Sequence, residues 1–262
     1  MTGLPLPPAS LRFMNEGDNQ LVKMGTELAV TLYAHGLGDE HRLLDAGSGY
    51  GRLALGLMAT GYGGRYVGFD ILHRHVTWCQ KTLTPLDGRY RFKHLDVRND
   101  RYNPDGLGDP ASTPFPVKSG SKDMAALFSV FTHMYEPEIK HYLRELRRVL
   151  TPGGRAVTSW LLFDESRLPA VVASRSTYRL IFTLGAHARF SDPEDPLRAI
   201  GYSERHVRRM VTRAGLRVES IRRGTWAGEV VGVGESFQDL VVIGRPGTWE
   251  SRRRAWAGRL LD

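Results

Sequence analysis

Cysteine is almost absent from this sequence: Cys79 is the single one among 262 residues. No intrachain disulfide can form, and zinc or iron–sulfur centres built on cysteine clusters are excluded. Such sparse use suits a reducing compartment, so a cytoplasmic location is expected. Long apolar runs are missing too, and with them any expected membrane-spanning helix. Met1 to Ser10 is proline-rich, without a basic start or an apolar run, and does not read as a secretory signal. Internal repeats are lacking. Histidines and acids are scattered without ligand spacing, so no metal site is expected.

Negative charge is the scarcer sign, with 28 Asp and Glu against 36 Lys and Arg, a net charge of +8. The basic residues are mostly arginine, and many fall late: Arg205, Arg208, Arg209, Arg213, Arg217, Arg222 and Arg223, then Arg252 to Arg254. Arg205, Arg208 and Arg209 have near-helical spacing. No aromatic-studded basic motif accompanies them, which favours a solvated charged face over an RNA-binding stripe. On these grounds no nucleic-acid and no membrane partner is expected.

From about Leu43 short apolar runs alternate with helical periods, the pattern of a parallel sheet with crossover helices. Strands are expected at 42–45, 66–70, 90–96, 123–129 and 155–162, with helices opening near Gly51 and His73. Ile139, Tyr142, Leu143, Leu146, Val149 and Leu150 mark one face of a further helix, ended by the turn Thr151-Pro152-Gly153-Gly154. A last unit has a helix at 203–214 and strands at 216–221 and 239–243. One domain, 1–262, is expected. Residues 1–40 would form a cap with a helix at 19–35 covering the site. Residues 163–200 break the alternation and read as a substrate-side insertion.

Asp45-Ala46-Gly47-Ser48-Gly49-Tyr50-Gly51 lies between a predicted strand and a helix. Glycines there let a ligand approach the backbone, and the helix start offers N–H groups to an anionic group such as a carboxylate. A dinucleotide fingerprint would need glycine or alanine at position 52, which is Arg52, so the spacing disfavours NAD.

Asp45-x-Gly47-x-Gly49-x-Gly51 resembles motif I of the class I S-adenosylmethionine-dependent methyltransferases, in a small-molecule type. Asp70, with Ile71 beside it, matches the family's acid for the ribose hydroxyls, where a carboxylate can accept from two vicinal O–H donors. Asp96 matches the acid facing the adenine amino group, and Val97 would add backbone contacts. Leu150-Thr151-Pro152-Gly153-Gly154 resembles the family's L-x-P-G-G turn. The likeness covers 40–160 well and 203–245 loosely. It implies a Rossmann-like, doubly wound α/β fold with a seven-stranded sheet, mostly parallel, its last strand antiparallel. It also implies S-adenosyl-L-methionine as cofactor, bound by Asp45, Gly47, Ser48, Gly49, Gly51, Asp70, Ile71, Asp96, Val97 and Ser129.

Ser129 to Met134 follows the fourth strand, where members place cofactor and substrate contacts. Methyl transfer is a direct displacement that needs alignment and, for a hydroxyl acceptor, removal of a proton. His133 is the candidate base; a histidine that merely hydrogen-bonds at a helix start is the alternative. The D/N-P-P-Y/W motif of base-amino methyltransferases is missing. Cys79 falls within a predicted helix rather than a Pro-Cys loop, which argues against cytosine C5 methylation.

Substrate recognition then falls to the N-terminal segment, the 97–122 loop and the insertion, with Tyr178, Phe182, His187, Arg189 and Phe190 as pocket-wall candidates. Trp226 is a further one, with a packing role equally open to it, and Arg12 is a candidate for the cofactor carboxylate. The expected activity is O-methylation of a small-molecule acceptor, natural-product or sugar-like, with His133 as general base. The alternatives are an RNA methyltransferase using the basic surface and a non-catalytic cofactor-binding protein.

Overall fold

The computed structural model describes residues 3–13, 17–173, 178–228 and 236–247. Helix α1 (Asp18–Ala34) precedes strand β1 (Arg42–Ala46), α2 (Arg52–Ala59), β2 (Arg65–Asp70), α3 (His73–Thr82), β3 (Tyr90–His94) and β4 (Lys122–Leu127). Then follow α4 (Glu136–Val149), β5 (Leu150–Trp160), β6 (Leu162–Phe163), α5 (Leu168–Ala173), β7 (Phe182–Leu184) and β8 (Ala188–Phe190). The chain closes with β9 (Ile200–Ser203), α6 (Glu204–Arg213), β10 (Arg217–Arg222) and β11 (Asp239–Gly244).

One sheet has seven strands in the order β10-β11-β5-β4-β1-β2-β3. β1 pairs in parallel with β2 and β4, and β2 with β3, while β11 runs antiparallel to β5 and β10. The doubly wound sheet with an antiparallel last strand is thus the expected one. Strand order reverses at β1 and β4, where an open α/β sheet forms its ligand crevice at the strands' C-terminal ends.

The chain divides into two compact units, residues 1–117 with 122–126, and residues 118–121 with 127–262. In the first, β1, β2 and β4 are buried almost throughout, as near-continuous apolar strands covered on both faces must be. Helix α1 packs on α2 at two glycines: a Cβ on Gly56 would clash with the carbonyl of Gly25, and one on Gly25 with that of Arg52. Only bare backbone permits that approach. Strand β3 ends at His94, so Asp96 lies two residues beyond it rather than at its end.

In the second unit α4 ends at Val149 and β5 begins at Leu150. The Thr151–Gly154 turn therefore sits within the strand's first residues. There Gly153 takes a φ of +85° and its N–H donates to the Arg245 carbonyl. The insertion is not irregular: β6, β9, β8 and β7 form a second, four-stranded sheet in that order. In the same unit Leu161, Phe163, Val171, Leu180, Ala199, Trp226 and Ala227 form an apolar cluster.

Candidate functional site

In the first unit the glycine loop leaves β1 and turns back under β2. The N–H groups of Gly47 and Ser48 both donate to the Phe69 carbonyl, at 2.9 and 3.0 Å. Gly47, Gly49 and Gly51 have φ of +81°, +51° and +81°, backbone that side chains with a Cβ avoid. At Gly51 a Cβ would also lie 2.8 Å from Leu83 Cδ1 and 3.1 Å from the Cys79 Sγ. The third glycine thus lets α3 close on the start of α2. No side chain caps α2, so its first N–H groups remain donors for an anion.

Two acids frame this loop. The buried Asp45 accepts a 2.6 Å hydrogen bond from the Tyr66 hydroxyl. Burial pushes its pKa up to about 7, against the pull of that bond. Asp70 accepts from the Gly49 N–H at 2.7 Å through Oδ2 and from the Leu72 N–H at 2.8 Å through Oδ1. Burial raises its pKa too, opposed by these backbone donors. A carboxylate offers about four lone-pair sites, so Asp70 keeps acceptor capacity beyond these backbone donors. The Ser48 hydroxyl is buried without a hydrogen-bond partner, an orphan at the loop's centre.

Beyond β3 the geometry is tighter than the sequence implied. Asp96 is exposed, and Asn103 donates to it at 3.3 Å. The Val97 N–H donates to Leu95, and its carbonyl accepts from Asn103, so both backbone groups of Val97 are engaged within the loop. Ile71 is half-buried, its carbonyl 3.1 Å from His94 Nε2.

Sequence reasoning missed an aromatic cluster over the glycines. Phe13 would stand 3.0 Å from a Cβ at Gly49, and its ring meets Tyr50 at 5.4 Å, His75 at 4.9 Å and Tyr102 at 6.3 Å. His75 is fully buried with neither ring nitrogen hydrogen-bonded, and burial drives its pKa down to about 4. No spacing signals this group, because its members come from four separate segments. Over the glycines, then, lies the residue 11–13 segment rather than helix α1. Arg12 is turned to the Pro7 carbonyl and to Asp18 at 2.6 Å.

The second unit holds Ser129 and His133. Ser129 is the one described non-glycine residue with positive φ, +55°. Its N–H donates to the Ser159 hydroxyl at 2.7 Å, and both hydroxyls donate to Gln238 Oε1. Ser159 and Gln238 went unnoticed in the sequence for want of any motif. His133 closes a one-turn 3-10 helix, Phe131–His133, and its Nδ1 lies 2.8 Å from the Leu197 carbonyl. A carbonyl accepts only, so Nδ1 carries the proton and Nε2 is the basic nitrogen of the neutral ring. Leu197 belongs to the insertion, which thereby orients the histidine.

Each pocket-wall candidate has a packing or hydrogen-bond partner. Tyr178 packs on the apolar cluster, Phe182 stacks on Phe190 at 5.4 Å, and His187 stacks on His206 at 4.1 Å. Arg189 donates to the carbonyls of Leu180 and Ile181. Trp226 is wholly buried, its Nε1 donating to Asp239 at 2.7 Å, which is the packing role. Asp239 also accepts from Arg167, Gly224 and Leu162, completing a buried network. Among the described residues no group of three His, Cys, Asp or Glu could hold a metal ion, and no helix is long and apolar enough to cross a membrane.

Residues 44–158 match the profile of a family described as methyltransferase domain. The fold is similar to that of the protein solved in complex with the Haloferax volcanii Trm112 methyltransferase activator, at 16% identity over 86% of this chain and 91% of that one, TM-score 0.56. A SAM-dependent methyltransferase of Methanosarcina mazei is similar at 16% identity over 82% and 97%, TM-score 0.54. The Burkholderia thailandensis 1,6-didemethyltoxoflavin-N1-methyltransferase, solved with its substrate and S-adenosylhomocysteine, is similar at 18% over 88% and 80%, TM-score 0.53. At such identities the structural likeness speaks for the fold.

Proposed function

We propose that this chain, whose residues 44–158 match the methyltransferase-domain profile, is a class I S-adenosylmethionine-dependent methyltransferase that methylates a hydroxyl or carboxyl oxygen of a small molecule, of natural-product or sugar-like type. The observation that carries the reading is the Nδ1 contact of His133 with the Leu197 carbonyl, which makes Nε2 the proton-accepting nitrogen of the neutral ring on the segment after β4. The cofactor of this family supplies, when bound, a methyl group on a sulfonium sulfur. Asp70 would hold its ribose hydroxyls, and the glycine loop, Ser48 and the start of α2 its methionine end. Asp45 would shape the loop from below through Tyr66, while Ile71, Asp96 and Val97 would flank the adenine and Ser129 the strand end. His133 Nε2 takes the proton that the acceptor hydroxyl loses as its oxygen becomes the nucleophile. For a carboxylate acceptor no proton need move, and His133 would only position.

The test is release of S-adenosylhomocysteine, measured across a panel of hydroxyl- and carboxyl-bearing small molecules. Turnover confined to such acceptors is the expected result. Transfer to RNA alone would install the RNA methyltransferase reading, for which the arginines of α6 are the specific observation. Cofactor binding without transfer to any acceptor would leave a non-catalytic binding protein.

A further inference from the structure

The sequence shows one row of arginines, on α6, whereas the structure sets a second row beside it. Glu136, at the start of α4, lies 3.0 Å from His206 Nε2 at the start of α6. At the other end a Cβ on Gly215, just past α6, would meet Arg147 Nε of α4 at 3.4 Å. The two helices therefore run side by side in the same direction. The stripe of α4 between those anchors is Glu136, Lys140, Arg144 and Arg147, at helical spacing. The exposed face of α6 is Arg205, Arg208, Arg209, Thr212 and Arg213, which line an open concavity of about 400 Å³.

Carboxylates on these helices are already engaged. Glu136 pairs with Lys140 and His206, Glu204 with Arg208 and Arg223, and Glu145 with Arg148. Arg144, Arg147, Arg205, Arg209 and Arg213 have no carboxylate partner among the described residues. Arg209 instead lies against the imidazoles of His187 and His206. The apolar side chains of α6, Val207, Met210 and Val211, are all buried. No apolar or aromatic side chain of α6 is exposed to enter a lipid surface or to serve as an aromatic platform for unpaired bases.

We propose that the paired α4 and α6 faces bind the phosphate backbone of a nucleic-acid duplex, without reading its sequence. Guanidinium forks match phosphate oxygens bidentately, and they are more weakly hydrated than ammonium groups. Positions four apart on a helix rise by about 6 Å, and packed helix axes lie about 8–10 Å apart. The face is thus two short parallel rows of positive charge, a form suited to the two strands flanking a narrow groove. The site is independent of the methyl acceptor: a duplex bound here is a docking partner whether or not it is methylated.

The test uses the full chain and fluorescently labelled 20-base-pair RNA and DNA duplexes in anisotropy titrations at several salt concentrations. Wild type is expected to bind, with affinity falling steeply as salt rises, because released counterions number about one per phosphate neutralised. Arg144→Gln/Arg205→Gln/Arg213→Gln should weaken binding on the order of tenfold or more and flatten the salt slope, with an unchanged melting temperature. Should that variant fold poorly, Arg147→Gln/Arg205→Gln tests the same face with one substitution per helix. Stronger binding of RNA than DNA would identify the A-form groove as the target, and equal binding the backbone charge alone. Undiminished binding by both variants overturns the proposal, as does no salt-dependent binding by wild type. Displacement of the duplex by polyglutamate at equal charge would assign the face to an acidic protein instead and also overturns it.

Discussion

Asp45 sits where its own charge is costly, buried beneath the glycine loop with the Tyr66 hydroxyl as partner. Its folded-state pKa, about 7, lies above the value near 3.9 of an unfolded aspartate. The folded chain thus holds this proton more tightly. That contribution to stability is complete below about pH 4 and is lost as the pH rises through about 7. Asp45→Asn keeps an acceptor for Tyr66 and no longer titrates. Against wild type it should gain several degrees of melting temperature between pH 5 and pH 8, each kcal/mol being worth roughly 2–4 °C. Parallel melting profiles would count against a buried, titrating Asp45. His133 makes the other prediction at this scale. His133→Ala should lower kcat by about 10²–10⁴-fold while S-adenosylhomocysteine binds as before, measured by turnover and calorimetry. Near-normal turnover would remove the residue from the mechanism.

Helices and strands here are joined at a few unforgiving points. At the α1–α2 contact, Gly56→Ala places a methyl group against the Gly25 carbonyl, so the helices must separate. A loss of about 1–3 kcal/mol is expected in urea unfolding, of the size overpacking usually costs. Weaker S-adenosylhomocysteine binding should accompany it, since α1 follows the segment that carries Phe13 to the glycines. The second point is the Asp239 carboxylate at the head of β11, which ties Leu162, Arg167, Gly224 and Trp226 together. Asp239→Asn leaves the buried Arg167 without its counter-charge and should cost about 3–5 kcal/mol. The double variant Arg167→Met/Asp239→Asn should recover part of that loss, because it removes the unpaired charge while the amide oxygen still accepts from the donors of Leu162 and Trp226. Equal destabilisation by both variants would place the loss in packing rather than charge.

For the whole molecule the premise is a ligand that binds the folded chain alone. S-adenosylhomocysteine at a hundred times its Kd should add about 2.7 kcal/mol and raise the melting temperature, while NAD should leave it unmoved. A shift with NAD instead would overturn the cofactor assignment. The choice between them rests on position 52: the third glycine falls at 51, followed by Arg52 at the start of α2.

Much of the fold was legible because its causes are local. Buried parallel strands need near-continuous apolar runs, and the glycine loop needs positive φ at Gly47, Gly49 and Gly51, so each leaves its mark in consecutive residues. The order of those marks, with Asp70 ending β2 and the Pro152-Gly153-Gly154 stretch in the first residues of β5, sufficed for the sheet and led to the proposed cofactor. Where the chain returns on itself no such mark exists. The four-stranded sheet of the insertion, the Leu197 carbonyl that sets the His133 tautomer and the buried Asp239 network all join residues far apart in sequence. The same holds for Phe13 over the glycines and for the second row of arginines beside α6. The single cysteine, the glycine spacing and the apolar periods were determined by the sequence itself, since each is a property of neighbours along the chain. Which histidine is oriented, which aromatics are core and which charges stand together were decided by tertiary structure alone, because burial and through-space distance exist only once the chain has folded.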